Sequence, residues 1–164
     1  TTVVALDWLN GRRTPWADQE LKGALVGLTL GTDAPRIFRA LVEATAFGSK
    51  AIVERFREEG LEISEVIAQG GIPGKNEFVM QVTADVFNMP IKVVQSEQSV
   101  ALGAAMFAAV AAEKFATVYE AQDVMGAGFS TVYNPEPAGV QLYQDLYEKY
   151  MTIGELLSDT LRAL

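Results

Sequence analysis

The stretch Glu65-Val-Ile-Ala-Gln-Gly-Gly-Ile-Pro-Gly-Lys-Asn76 constrains this chain more than any other. Its apolar residues 66–68 predict a short buried strand, and the pair Gly70-Gly71 turns the backbone at the end of that strand. The amphipathic segment 77–88 predicts a helix directly afterwards, and residues 91–94 predict a second strand after the Asn88-Met-Pro90 break. Strands joined by a helix of this length run parallel with a right-handed crossover, so the fold class is α/β with a parallel βαβ unit. This arrangement brings bare backbone N–H groups and the positive end of a helix dipole to one corner. Nucleotide phosphates and ribose commonly bind at such corners.

That corner has two readings. As a ligand site, Gly70 and Gly71 let a nucleotide approach the backbone, Lys75 supplies a positive charge, and Asn76 donates or accepts at the helix start. Without a ligand, the glycines form a tight strand-to-helix turn and Asn76 is only the N-cap. Two familiar phosphate motifs are absent. Gly70-x-x-x-Gly74-Lys75-Asn76 is one residue short of a P-loop and has Asn where Ser or Thr would hold magnesium. The three spaced glycines of the dinucleotide fingerprint are missing as well.

Composition removes several functions. The net charge of −8, with no cluster of Lys or Arg, argues against a nucleic-acid partner and reads as simple solubility. With no cysteine and no histidine, disulfides, thiolate chemistry, the common zinc sites and Ser-His-Asp catalysis are excluded within this chain. The longest apolar run, 100–112, falls short of the ~20 residues that span a bilayer, so no membrane partner is expected. No signal peptide is visible, and a cytoplasmic setting is expected. A length of 164 residues suits one domain with a sizeable core. The opening Thr1-Thr-Val-Val-Ala-Leu6 has no initiator Met, which suggests a piece of something longer with catalytic residues upstream.

Elsewhere, residues 1–6 predict a strand, 12–22 an irregular polar segment, and 24–30 a short extended segment. A long helix follows, capped by Thr32 or Asp33, with Pro35 in its first turn and Gly60 at its end. Its apolar face is predicted to comprise Ile37, Leu41, Ala44, Thr45, Gly48, Ile52 and Phe56, with Glu43, Lys50 and Glu54 on the solvated side. A helix from about Ser96 or Ser99 to Phe115 carries small residues suited to close packing on a sheet. Residues 116–139 read as loop, and 140–161 as an amphipathic helix whose tyrosines pack. Asp7 and Asp85 read as structural, with nothing nearby in sequence to shift their ionisation. Arg12-Arg13 reads as a loop anchored by a salt bridge.

Four segments together resemble the FGGY carbohydrate kinases. They are Gly23-Ala-Leu-Val-Gly-Leu-Thr29, Ile37-Phe-Arg-Ala-Leu-Val-Glu-Ala-Thr-Ala-Phe-Gly48, Gln69-Gly-Gly and Ser99-Val-Ala-Leu-Gly-Ala-Ala105, in the family's order. Within the family, Ala5-Leu-Asp-Trp-Leu-Asn-Gly-Arg-Arg-Thr-Pro15, Thr32-Asp-Ala-Pro35 and the segment 70–76 are most similar to members acting on L-ribulose in arabinose breakdown. The resemblance implies an ATP-dependent sugar kinase of the actin-like ATPase group, built from two ribonuclease-H-like domains that close over a cleft. It implies that this chain is one incomplete C-terminal domain on the nucleotide side, with 116–164 as its loop and helical tail. ATP or ADP is then the partner, carried over onto Gly70, Gly71 and Asn76 with Lys75 added, and either Lys75 or Asn76 takes the place of the family's Asn. Magnesium is expected with ATP, but its ligands lie outside this chain. The sugar and the catalytic base belong mainly to the other domain, so no residue here is expected to be catalytic and the chain alone is expected to be inactive. An exposed sheet edge makes a homo-oligomer plausible. Two alternatives stay open: a kinase of another sugar (D-ribulose, xylulose or glycerol), or a non-enzymatic binding or regulatory domain.

Overall fold

In the computed structural model, residues 3–164 are described; the first two positions of the strand expected over 1–6 lie outside that range. Strands β1 (Val4–Leu6) and β2 (Ala24–Val26) form an antiparallel pair. Helix α1 (Ala34–Glu58) follows, then β3 (Val66–Ala68), α2 (Glu77–Phe87) and β4 (Ile91–Val94). Next come α3 (Ser99–Ala111), α4 (Val118–Met125), β5 (Phe129–Tyr133) and α5 (Pro137–Ala163). β3 and β4 are parallel, as their helical connection requires, and β5 adds antiparallel to β4 to give the order β3-β4-β5. Residues 116–139 are therefore not mainly loop. Phe129, Val132 and Tyr133 have the β propensity of a strand, but the flanking Gly126, Gly128 and Pro135 masked it.

Local chemistry fixes the ends of α1. The Asp33 carboxylate accepts from the Arg36 N–H at 3.1 Å, and proline stands in the first turn, where no N–H is needed. The buried face is rotated from the one expected. Ala40, Glu43, Ala44, Ala46, Phe47 and Ala51 are buried, whereas Thr45 and Phe56 are exposed. Glu43 pulls the helix round: Arg39 Nε donates to its carboxylate at 2.8 Å and Arg39 Nη2 to the Tyr143 hydroxyl at 3.0 Å. A paired carboxylate can be buried where an unpaired one cannot, and the Glu43 contact raises the pKa of Arg39 further.

One hydrophobic cluster joins β1, α1, α2, β4 and α5. Phe47 contacts Tyr143, Tyr147 and Tyr150 at ring separations of 6.3, 5.8 and 5.4 Å, so the tyrosines of α5 pack as expected. Tyr147 also donates to the Glu54 carboxylate at 2.7 Å. Asp85 is structural: its Oδ1 accepts from Gln81 Nε2 and from the Glu136 N–H, both at 2.8 Å, which ties α2 to the start of α5. Helix α3 packs on α4 rather than on a sheet. Its only buried residue is Met106, and a side chain at Gly103 would meet nothing. Among the described residues, no helix is long and apolar enough to cross a membrane.

Two charged residues behave differently from their sequence reading. Arg12 anchors its loop by stacking between Trp8 and Trp16, not by a salt bridge. Asp7 does have a shifted ionisation: burial raises its pKa, partly offset by a backbone hydrogen bond and the Thr45 hydroxyl. The cause is tertiary, so neighbours in sequence could not reveal it. A carboxyl that is harder to ionise when folded stabilises fully below its unfolded pKa of about 4 and loses that contribution as pH rises through the folded value. Asp7→Asn is therefore expected to gain stability over the parent as pH rises above about 4. Urea midpoints across that range check this, and a gap independent of pH would contradict it.

Candidate nucleotide site

Strand β3 delivers the chain to Gly70, whose φ of +101° is a left-handed conformation that glycine adopts without strain. The backbone then folds into a turn in which the Ile72 carbonyl accepts from both Lys75 N–H (3.0 Å) and Asn76 N–H (3.1 Å). Asn76 is the N-cap of α2: its Oδ1 accepts from the Val79 N–H at 3.2 Å. That bond uses the amide oxygen and leaves the NH2 group able to donate elsewhere. The cap role is thus present, and it does not exclude a ligand role.

The corner is open. A Cβ placed on Gly70, Gly71 or Gly74 would meet no atom within 4 Å. Grooves lie on both sides of the loop. A cavity of about 460 Å3 separates it from α1, with Phe38, Val42, Thr45, Ala46 and Ser49 on the helix side and Gly71, Ile72, Lys75 and Asn76 on the loop side. A second, of about 340 Å3, lies between Gly70, Gly71, Gly74 and Lys75 and the polar segment 95–98 with Ser130. Gly71 and Lys75 border both. The structure brings all four residues singled out in the sequence to one loop.

The two sides differ in chemistry. The α1 side presents Phe38, Val42 and Ala46, the kind of wall on which a flat base lies, with a few hydroxyls for orientation. The other side carries backbone and side-chain polar groups suited to hydroxyls. The first turn of α2 already holds Glu77, an acidic residue that complements the helix dipole and opposes a second anion there. The loop is therefore better matched to a nucleoside than to its phosphates. Sequence reading missed the α1 wall. The signal was available: Thr45 and Ser49 stand four residues apart, on the same side of the helix as Phe38 and Val42.

The chain is a mixed α/β unit with an open strand–glycine–helix corner, an arrangement shared by many nucleotide-binding folds. The C-terminal domain of the FGGY family of carbohydrate kinases matches residues 1–112, and the chain belongs to that family. Among its relatives, a ribulokinase of Vibrio parahaemolyticus serotype O3:K6 is 51% identical over 94% of this chain and 27% of its own length. A ribulokinase of Halalkalibacterium halodurans is 47% identical over 92% of this chain and 28% of its own. The crystal structure of ligand-bound xylulose kinase from Lactobacillus acidophilus superposes with a TM-score of 0.83 at 30% identity, over 94% of this chain and 31% of that one. The fold is thus that of the actin-like ATPase group to which these kinases belong. The chain spans less than a third of the length of the curated relatives it matches.

Proposed function

We propose that this chain is the C-terminal, nucleotide-side domain of an ATP-dependent kinase that phosphorylates L-ribulose in arabinose catabolism, with α4, β5 and α5 forming its tail over residues 116–164. The observation that carries the reading is the open Gly70–Gly71 corner with a groove on each side. Similarity to ribulokinases across nearly the whole chain supports the choice of sugar.

In this reading the adenine lies in the groove against Phe38 and Val42, and Gly71 admits the ribose close to the backbone. The Asn76 amide donates while its oxygen keeps the helix capped, and Lys75 stands at the rim as the nearest cation. Phosphoryl transfer depends on positioning and charge stabilisation, so a nucleotide-side surface without its opposing wall binds but does not catalyse. The sugar, the base that takes its hydroxyl proton, and the magnesium ligands belong to the rest of the intact kinase. Closure of the two domains would exclude water from the transferred group. A cytoplasmic setting follows from arabinose catabolism.

The test is an ADP-release assay of the intact protein on L-ribulose, D-ribulose, xylulose and glycerol. L-ribulose is expected to give a kcat/KM at least about tenfold above the others, a margin of about 1.4 kcal/mol in transition-state binding. A higher kcat/KM for another sugar would reassign the substrate, and no ADP release with any of them would remove the kinase reading.

A further inference from the structure

Three of the side chains lining the groove between α1 and the glycine loop are hydroxyls: Thr45 and Ser49 on α1, and Thr83 on α2. Each bonds the carbonyl one turn back on its own helix. Thr45 Oγ1 lies 3.0 Å from the Leu41 carbonyl, Ser49 Oγ 3.0 Å from the Thr45 carbonyl, and Thr83 Oγ1 2.7 Å from the Val79 carbonyl. A carbonyl oxygen only accepts, so in each pair the hydroxyl's single proton is committed to the helix. What these oxygens present to the groove is lone pairs. Thr45 has a further partner in Asp7, which does not line the groove. Ser49 and Thr83 are therefore the two hydroxyls best placed to accept from a ligand.

The two stand together at one end of the groove. The Arg39 guanidinium lies 5.9 Å from the Phe78 ring centre, and Lys50 Nζ donates to the Val86 carbonyl at 3.1 Å. Helices α1 and α2 therefore run in the same direction, early turns beside early turns. Thr83 is about 10 Å along α2 from Asn76, at 1.5 Å per residue, so it and Ser49 share the end away from the loop. The donors of the groove, the Lys75 ammonium and the Asn76 NH2 group, are at the loop end. We propose, resting on the nucleotide reading above, that Ser49 and Thr83 select the base by its 6-amino group, so that the site takes adenine and refuses a 6-oxopurine. A nucleoside with its ribose at Gly71 points its six-membered ring toward these oxygens. Adenine presents an amino donor there, whereas a 6-oxopurine such as guanine or hypoxanthine presents an acceptor. The amino group bonds the oxygens as they stand. A 6-oxo group sets oxygen against oxygen, or makes a hydroxyl leave its helix carbonyl and so break one bond to form another. Both residues are half-buried, which limits how far water can replace what is lost.

IDP differs from ADP only in carrying a 6-oxopurine, so the pair isolates this contact. Calorimetry on the intact protein is expected to give a Kd for ADP at least about tenfold below that for IDP. Thr83→Val keeps the side-chain shape without the oxygen, and Ser49→Ala removes the other oxygen. Each is expected to weaken ADP binding about threefold or more while IDP binds as before or tighter, so that the ratio of the two falls. Thermal unfolding confirms that the variants fold. A purely structural role for the hydroxyls would move both nucleotides together and leave the ratio unchanged, which would overturn the proposal. Equal affinity for ADP and IDP in the parent, with Gly71→Val still weakening both, would overturn it and leave the nucleotide site standing. ADP binding indifferent to Gly71→Val would instead remove the site itself, and the base selection with it.

Discussion

Gly71→Val in the intact protein is expected to weaken ATP and ADP binding by about tenfold or more, at least about 1.4 kcal/mol, while the fold stays intact. The two halves of that expectation have separate causes. A side chain at this position meets nothing in the protein, and the backbone is not in the left-handed region, so valine fits without strain. The added methyl groups would, however, project where the two grooves meet, at the point a ribose would have to pass. Calorimetry gives the affinity, and thermal unfolding gives the control. Gly70→Val is a poor substitute, because the φ of +101° there would charge the variant with backbone strain of about 1–2 kcal/mol. Unchanged nucleotide affinity in a folded Gly71→Val protein would remove the site assignment.

Tyr150→Ala is expected to produce the largest loss of stability, about 3–5 kcal/mol. Tyr150 is among the largest fully buried side chains, and it joins three elements. Its ring meets Phe47 of α1 at 5.4 Å and Trp8, just after β1, at 6.4 Å, and its hydroxyl accepts from Trp8 Nε1. Truncation leaves a cavity and an indole N–H without its acceptor. Against a total domain stability of about 5–15 kcal/mol, such a loss would leave a substantial unfolded fraction under mild denaturant. Tyr150→Phe removes only the hydroxyl and is expected to cost about 1 kcal/mol. Urea unfolding separates the two. Equal losses in both variants would mean that the hydrogen bond, not the ring packing, holds α5 in place.

The parts of the fold that were legible in sequence are those where local rules act alone. Asp33 and Pro35 begin α1, Asn76 begins α2, and the β3–α2–β4 crossover follows from strand, glycine pair and helix in sequence. The parts that were not legible depend on residues distant in sequence. Glu43 looked solvated because its partner Arg39 is tied in turn to Tyr143, about a hundred residues away, and burying that cluster turned the whole face of α1. Asp7 was misread for the same reason, since burial in the folded chain shifts its ionisation. Arg12, by contrast, was misread although the two rings that hold it, Trp8 and Trp16, stand only four residues away on either side. The small residues of α3 suggested a sheet partner, yet it packs mainly on α4. In the candidate site, the glycine loop could be read from sequence, whereas the apolar wall could not. That wall exists only because α1 and the start of α2 lie side by side.

An amide NMR titration of the intact protein with ADP tests the nucleotide site most directly. The backbone signals of Gly70, Gly71 and Asn76 are expected to move together and saturate, with Thr45 and Ser49 of α1 following at the same midpoint. Saturation of ADP binding with those signals unmoved would contradict the site assignment, and the glycine corner would then be only a turn.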